Sequence, residues 1–179
     1  MPTLVLVTGP PAAGKSTLAA RLADDLGLPL LAKDAFKEAV ADGFGVSTFD
    51  DGRRAGAAAV RALYATAAEL LRREVSCIVV SAFPRGFAET DLAPLLALAA
   101  GAVVDCRAAD DICRERYRSR TGRHPCHADT DRVDTIDWRA YDPLDLDVPV
   151  LTVDTTDGYR PGYETVLSFV SGRVVPLRT

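Results

Sequence analysis

The chain lacks the features that would assign it to a membrane, a disulfide scaffold or a nucleic-acid surface. Its longest apolar stretch after the first, Leu92 to Ala100, falls well short of the roughly 20 residues that span a bilayer. No basic segment precedes the first apolar run, so no targeting leader is expected. There are only 4 cysteines, Cys77, Cys106, Cys113 and Cys126, irregularly spaced and with no C-x-x-C. Two of them sit in strand-like runs, which suits small core residues in a reducing compartment. Positive charge is not in excess: 21 Lys and Arg against 25 Asp and Glu leave a net charge of -4. Nothing in that balance attracts a polyanion, so nucleic acid is disfavoured as a partner. No repeat or low-complexity segment interrupts the chain. What remains is a cytoplasmic globular protein of 179 residues, expected to be one domain over 1–179, with 48% hydrophobic and 26% charged residues to build and cover a core. Oligomeric state is left open.

What is present, first, is a loop. Gly9-Pro10-Pro11-Ala12-Ala13-Gly14-Lys15-Ser16 satisfies the spacing G-x-x-x-x-G-K-[ST], and Thr17 adds a second hydroxyl. Leu4 to Val7, just before it, is aliphatic and too short for a helix, so it reads as a buried strand. After it, Leu18, Leu22 and Leu26 recur at every fourth residue beside Ala19 and Ala23, an apolar stripe that Gly27 stops. A strand, a glycine-bounded loop and a helix line up successive backbone N–H groups, here from about Ala13 to Thr17, into a cradle for a polyphosphate. Lys15 then reaches the β- and γ-phosphates, the Ser16 hydroxyl holds Mg²⁺ and Thr17 faces the α-phosphate. Gly9, Ala12, Ala13, Gly14, Lys15, Ser16 and Thr17 are therefore the expected nucleotide-binding set, with ATP and Mg²⁺ as cofactors. The guanine-reading pattern N-K-x-D is missing, since Lys33 is followed at once by Asp34, so ATP is favoured over GTP.

Leu28 to Leu31 reads as a second strand ending in Lys33-Asp34, and Ala35 to Asp42 as a short helix closed by Gly43. In an open α/β sheet the ligand crevice lies outside the carboxyl ends of the strands, so Asp34 faces the same cleft as the loop. A carboxylate there can orient an attacking hydroxyl and take its proton. Asp34 is the candidate base; capping of the helix that follows is the lesser alternative, and the two roles can coexist. The polar, glycine-containing stretch from Gly43 to Arg54 is long enough for a substrate flap, and Ala55 to Arg73 keeps a helical period. Arg53 and Arg54 are surface charges or anion contacts of the acceptor pocket. The third strand is Cys77 to Val80, followed by Ser81 where many such enzymes place an acidic metal ligand. Phe83, Pro84 and Arg85 open a loop able to line the acceptor site, and Thr90 to Ala100 is the next helix.

Ala102 to Arg107 is the fourth strand and Asp110 to Arg120 a helix. At about 100° per residue, Ile112, Cys113 and Tyr117 share one side, Arg116 and Arg120 fall on or beside it, and Arg114 and Arg118 face water. Arginines so placed, followed by Arg123, His124 and His127, suit a phosphate-closing lid over about 114–131; a solvated basic helix is the alternative. A zinc clip built from Cys113, His124, Cys126 and His127 lacks the two closely spaced ligand pairs usual in structural sites. Asp129 to Asp147 is polar and irregular. Val148 to Val153 makes a fifth strand whose following loop, with Thr155, lies near the nucleotide base. Pro161 suits the first turn of a last helix whose apolar side carries Val166, Leu167 and Val170. The alternation predicts five mostly parallel strands with helices on both faces, plus the lid.

With the phosphate loop, Lys33-Asp34, the Arg116 to His127 segment and Val153-Asp154-Thr155-Thr156 in place, the chain resembles the P-loop kinases related to chloramphenicol phosphotransferase over nearly its whole length. The resemblance implies a nucleoside-monophosphate-kinase-like P-loop NTPase fold and transfer from MgATP to the hydroxyl of a small metabolite or antibiotic. It further implies Asp34 as base, with Lys15 and the lid arginines Arg116 and Arg120 stabilising the phosphates. A polynucleotide 5′-hydroxyl kinase and a non-catalytic ATP-dependent switch are the competing expectations; Ser81 favours the second.

Overall fold

The computed structural model of the chain describes residues 1–45, 49–127 and 133–174. The elements run β1 (Thr3–Thr8), α1 (Lys15–Leu26), β2 (Leu30–Ala32), α2 (Lys33–Phe44), α3 (Phe49–Arg72), β3 (Cys77–Val80), α4 (Ala88–Leu96), β4 (Ala100–Arg107), α5 (Asp110–Arg118), β5 (Val150–Asp154) and α6 (Tyr163–Ser171). The strands lie side by side in the order β2-β3-β1-β4-β5. Every pairing is parallel, where the sequence predicts a mostly parallel sheet.

Side chains of a strand alternate between faces, and the hydrophobic pattern uses both. Val5, Val7, Ile78, Val80, Val104 and Val153 meet Leu18 and Leu22 of α1, Cys113 of α5 and Val166 and Val170 of α6. Leu4, Leu6, Cys77, Val79 and Val103 meet Leu63, Ala67 and Leu71 of α3 and Leu92 and Leu95 of α4. Strands buried on both faces must read as continuous apolar runs, as TLVLVT and CIVV do. Because all five strands run the same way, β1, β2, β3, β4 and β5 end along one edge, and Gly9, Lys33, Ser81, Ala108 and Thr155 follow them there.

Several boundaries differ from expectation. Helix α2 begins at Lys33, directly after β2, so Asp34 lies in its first turn; Ala32 is the N-cap and no side chain caps it. The capping role for Asp34 therefore fails. Most of the expected flap is helix: α2 continues to Phe44 and α3 starts at Phe49. Asp50 and Asp51 stand in its first turn, where negative charge complements the helix dipole. The rest of the proposed flap, 46–48, lies outside the described residues, as do 128–131 of the proposed lid. Arg53 and Arg54 are exposed on α3, Arg53 within 3.8 Å of Asp50, and serve as surface charges. Helix α4 ends at Leu96 because Ala100 and Gly101 are drawn into pairing with Thr3 and Leu4. Helix α5 stops at Arg118, leaving Arg120 beyond it. Pro161 precedes the helix rather than opening it, since Gly162 caps Tyr163–Ser171.

Candidate active site

The loop between β1 and α1 departs from ordinary backbone at three places: Gly9 has φ 132°, Ala12 φ 64° and Gly14 φ 74°. A Cβ on Gly9 would sit 2.0 Å from the Cys106 carbonyl oxygen, so the loop leaves β1 only because that residue has no side chain. Gly14 is the N-cap of α1 and supplies no capping side chain. The first N–H groups of a helix have no partner within it, and here Lys15, Ser16 and Thr17 carry them. Over them opens a cleft of about 450 Å³ lined also by Arg116, Arg120, Thr155, Gly158 and Tyr159.

Lys15 is nearly buried, at 9% exposure, and its ammonium donates to the Pro10 carbonyl at 2.6 Å. Burial pulls its pKa down to about 8, with Arg120 adding to the fall and Cys106 and Asp34 opposing it. The side chain is folded onto its own loop and lines both clefts. The Ser16 hydroxyl is exposed and lines this cleft and the next. Thr155 braces the loop from β5. Its N–H donates to the Arg107 carbonyl at 2.6 Å, and its hydroxyl lies 3.0 Å from the carbonyl oxygens of both Ala13 and Arg107, donating to one at a time.

The two expected arginines separate. Arg116 turns toward the loop after β5, where Nη2 donates to the Thr155 and Thr156 carbonyls at 2.9 and 2.8 Å. Arg120, with its guanidinium 5.1 Å from the centre of the Tyr117 ring, borders both clefts. Arg118 faces water and pairs with Asp134 at 2.8 Å. Arg114, expected on the wet side, is half-buried over the Trp138 ring at 5.0 Å.

The second cleft, about 200 Å³, adjoins the first across Lys15, Ser16 and Arg120. It contains Asp34. One carboxylate oxygen lies 3.4 Å from the Lys33 ammonium and the other accepts from Arg123 Nη2 at 2.9 Å. Burial by itself would raise this carboxyl, but Lys33, His127 and Arg123 together hold it below the usual carboxylate range. Asp34 is thus ionised and an acceptor only. Around it stand Lys37, Ser81, His127 and Tyr141. Phe83 does not reach the cleft; it is 3% exposed in the core beneath α4, while Pro84 and Arg85 are exposed.

The segment after α5 lies along α2 and is tied to it repeatedly. Besides Arg123 on Asp34, a His124 ring nitrogen is 3.0 Å from Asp42 and a His127 ring nitrogen 2.7 Å from Glu38. Lys37 donates to the Cys126 carbonyl at 2.8 Å. Burial lowers the His127 pKa against the opposing pull of Glu38. Among the described residues no cluster of three or more His, Cys, Asp or Glu is arranged to hold a metal. The donors near the phosphate loop are oxygens, the Ser16 hydroxyl and the Asp34 carboxylate, which fits a hard cation that keeps most of its shell as water and phosphate.

Sequence reasoning missed Tyr159, Lys37 and Tyr141. Lys37 had a signal, since it lies one helical turn after Lys33 and shares its face. The two tyrosines come from irregular segments with none.

A family model described as the AAA domain matches residues 4–143. Among solved structures, a presumed kinase from Chloroflexus aurantiacus is 36% identical with a TM-score of 0.80, over 97% of this chain and 99% of that one. A sugar kinase from Janibacter sp. is 18% identical, with a TM-score of 0.65 over 98% and 97%. A gluconokinase from Sinorhizobium meliloti is 19% identical, with a TM-score of 0.57 over 96% and 93%. No curated protein matches.

Proposed function

The chain belongs to the AAA-domain family and has a P-loop kinase fold, and from that premise we propose that it transfers the γ-phosphoryl group of ATP to a hydroxyl of a small molecule. The observation that carries this reading is the position of Asp34: an ionised carboxylate, held by Lys33 and Arg123, in a cleft that shares Lys15, Ser16 and Arg120 with the phosphate-loop cleft.

Phosphoryl transfer of this kind goes through a loose transition state, so the base needs to orient the hydroxyl more than to activate it. A carboxylate of lowered pKa suits that task. It remains an acceptor throughout the physiological range and takes the proton only as the new bond forms. The acceptor oxygen bonds to the γ-phosphorus, the bond to the bridging oxygen breaks, ADP leaves, and Asp34 passes the proton to solvent. Lys15 exchanges the Pro10 carbonyl for phosphate oxygens. Arg120, placed between the clefts, meets the charge spreading over the transferred group. Arg116 acts at one remove, holding the 155–156 carbonyls that shape the base side. Mg²⁺, when bound at Ser16, neutralises charge on the phosphates.

The acceptor is a small molecule. A cleft of about 200 Å³ lies below the roughly 300–1,000 Å³ typical of drug-sized ligands, and a net charge of -4 gives a polynucleotide no general attraction. We assign 1–179 to one kinase domain acting in the cytoplasm, with a lid at about 114–131; among the described residues no helix is long and apolar enough to cross a membrane. The test is mass spectrometry of a metabolite library incubated with MgATP and either wild type or Asp34→Asn. A phosphorylated species should form with the wild type and fall by about 10²–10⁴-fold with the variant, the range for general-base removal. ATP consumption with no phosphorylated product, equal in both proteins, would overturn the assignment in favour of a switch.

A further inference from the structure

One wall of the acceptor cleft is a histidine whose two ring nitrogens have different duties. His127 is 6% exposed, and it lines the cleft together with Asp34, Ser81 and Tyr141. Its Nε2 lies 2.7 Å from Oε1 of Glu38 on α2. A carboxylate accepts and has no proton to give, so the proton of this bond belongs to Nε2. Burial holds the pKa of the ring below the usual 6.5, which leaves it neutral at pH 7. A neutral imidazole carries one such proton, and Nδ1 remains an acceptor. Among the described residues the bond to Glu38 is the only hydrogen bond of this ring. Nor is Nδ1 among the side-chain atoms enclosed without a partner, which are Asp105 Oδ1, Arg107 Nη2 and Trp138 Nε1. It therefore meets open space, and the space that this buried side chain borders is the cleft.

A simple alcohol would bring one hydroxyl to Asp34 and leave Nδ1 without a donor. We propose that His127 is a specificity-determining residue, whose Nδ1 accepts from a second hydroxyl of the acceptor while Asp34 takes the hydroxyl that is phosphorylated. This rests on the kinase reading above and narrows it to acceptors with at least two hydroxyls. The two contacts are built on one helix. Asp34 and Glu38 stand four residues apart in α2 and share a face, so the ring held by Glu38 is beside Asp34. Lys37 of the same helix donates to the Cys126 carbonyl at 2.8 Å and fixes the backbone that carries the ring. Glu38 is the positioning residue, since it decides which nitrogen keeps the proton. A site that pairs a buried acceptor with a substrate hydroxyl rejects the analogue lacking that hydroxyl, because the acceptor is then left unpaired.

The chain has 2 histidines, so long-range proton–nitrogen NMR resolves their ring nitrogens, with His127→Gln identifying the pair. At neutral pH His127 should carry its proton on Nε2; the opposite tautomer overturns the proposal. The nucleotide cleft is then filled with the magnesium complex of a non-hydrolysable ATP analogue, and glycerol is titrated to molar concentration. Glycerol should move the Nδ1 resonance saturably, and 1-propanol, with a single hydroxyl on the same three carbons, should not. An unmoved Nδ1, or equal shifts with both probes, overturns the proposal. Two variants separate recognition from support, because Asn carries its amide near the place of Nδ1 and Gln near that of Nε2. Glycerol affinity, read by saturation transfer to its protons, should fall about three- to tenfold in His127→Gln, as for one neutral hydrogen bond, and stay within about twofold in His127→Asn. Undiminished affinity in the first, or equal losses in both, overturns it. Should these variants melt early, Glu38→Ala lets the tautomers mix and should weaken the Nδ1 response, and an unchanged response counts against the proposal. The kinase reading is judged apart, by transfer. A response to glycerol without any phosphorylated product sinks that reading and leaves a polyol site, whereas efficient transfer to monohydroxyl acceptors with Nδ1 unmoved sinks this one alone.

Discussion

Lys15→Met should make the ligand-free protein more stable while abolishing its response to nucleotide. The residue is 9% exposed, and burial brings its pKa to about 8 against an ordinary 10.5. At about 1.4 kcal/mol for each tenfold change in proton affinity, holding it charged at neutral pH costs the empty fold roughly 3 kcal/mol. The hydrogen bond to the Pro10 carbonyl returns about 1.5–3 kcal/mol, the range for a bond to a charged group. Methionine keeps most of the stem volume and brings no charge. The balance is a gain of about 1 kcal/mol, or about 2–4 °C for a chain of this length. With MgATP at a hundredfold excess over Kd, wild type should rise by about 2.7 kcal/mol and the variant not at all, so the two melting curves exchange order. Differential scanning fluorimetry with and without MgATP reads both effects. A ligand-free variant melting several degrees below wild type would refute the claim that Lys15 is held at a cost. A nucleotide shift equal to that of wild type would refute its role at the phosphates.

Two further outcomes separate roles that geometry places side by side. Arg116→Gln removes two donations to the Thr155 and Thr156 carbonyls. In steady-state kinetics KM for ATP should rise about tenfold with kcat within about twofold, because uniform binding is what is lost; a fall in kcat at unchanged KM would place this side chain on the transferring group instead. His127 has a folded pKa below 6.5, because burial outweighs the pull of Glu38. Between pH 6.5 and that lower value the unfolded chain holds the extra proton, so stability is complete above 6.5 and falls as pH drops through the folded pKa. Melting temperatures between pH 8 and 5 should therefore decline more steeply for wild type than for His127→Gln, and parallel profiles would count against the buried neutral imidazole.

The parts of the site legible in the sequence are those fixed by local spacing. The phosphate loop needs only its own residues and the strand and helix beside it, and β3 is where CIVV places it. Asp34 was found because a parallel sheet puts every strand end on one edge. The start of α2 was not legible, because Ala32 caps it with no polar side chain. The flap was misread because Gly52, Arg53 and Arg54 suggest a loop, while Asp50 and Asp51 at the N-terminus of α3 favour helix more strongly. The partner of Asp34 lies 89 residues away at Arg123, and no periodicity spans such a gap. Helical period placed Arg116 and Arg120 on one side of α5 but could not tell that the first would meet backbone carbonyls and the second the gap between the clefts.

That separation gives one short segment two duties. Arg116 holds the loop after β5, Arg120 stands between the clefts, and Arg123 holds Asp34 from the other end. The ties of His124 and His127 to α2 then fix where Arg123 can be. An acceptor hydroxyl does not have to break this arrangement to bind. An ionised carboxylate offers about four lone-pair positions, and the contacts to Lys33 and Arg123 use one on each oxygen. A position remains for a substrate donor while both cations stay in place. The cations that keep Asp34 ionised thus also fix its direction, and a hydroxyl bound there shares a cleft with Lys15 and Ser16. Position is what the proposed transfer would ask of a weak base, and at Asp34 charge fixes position.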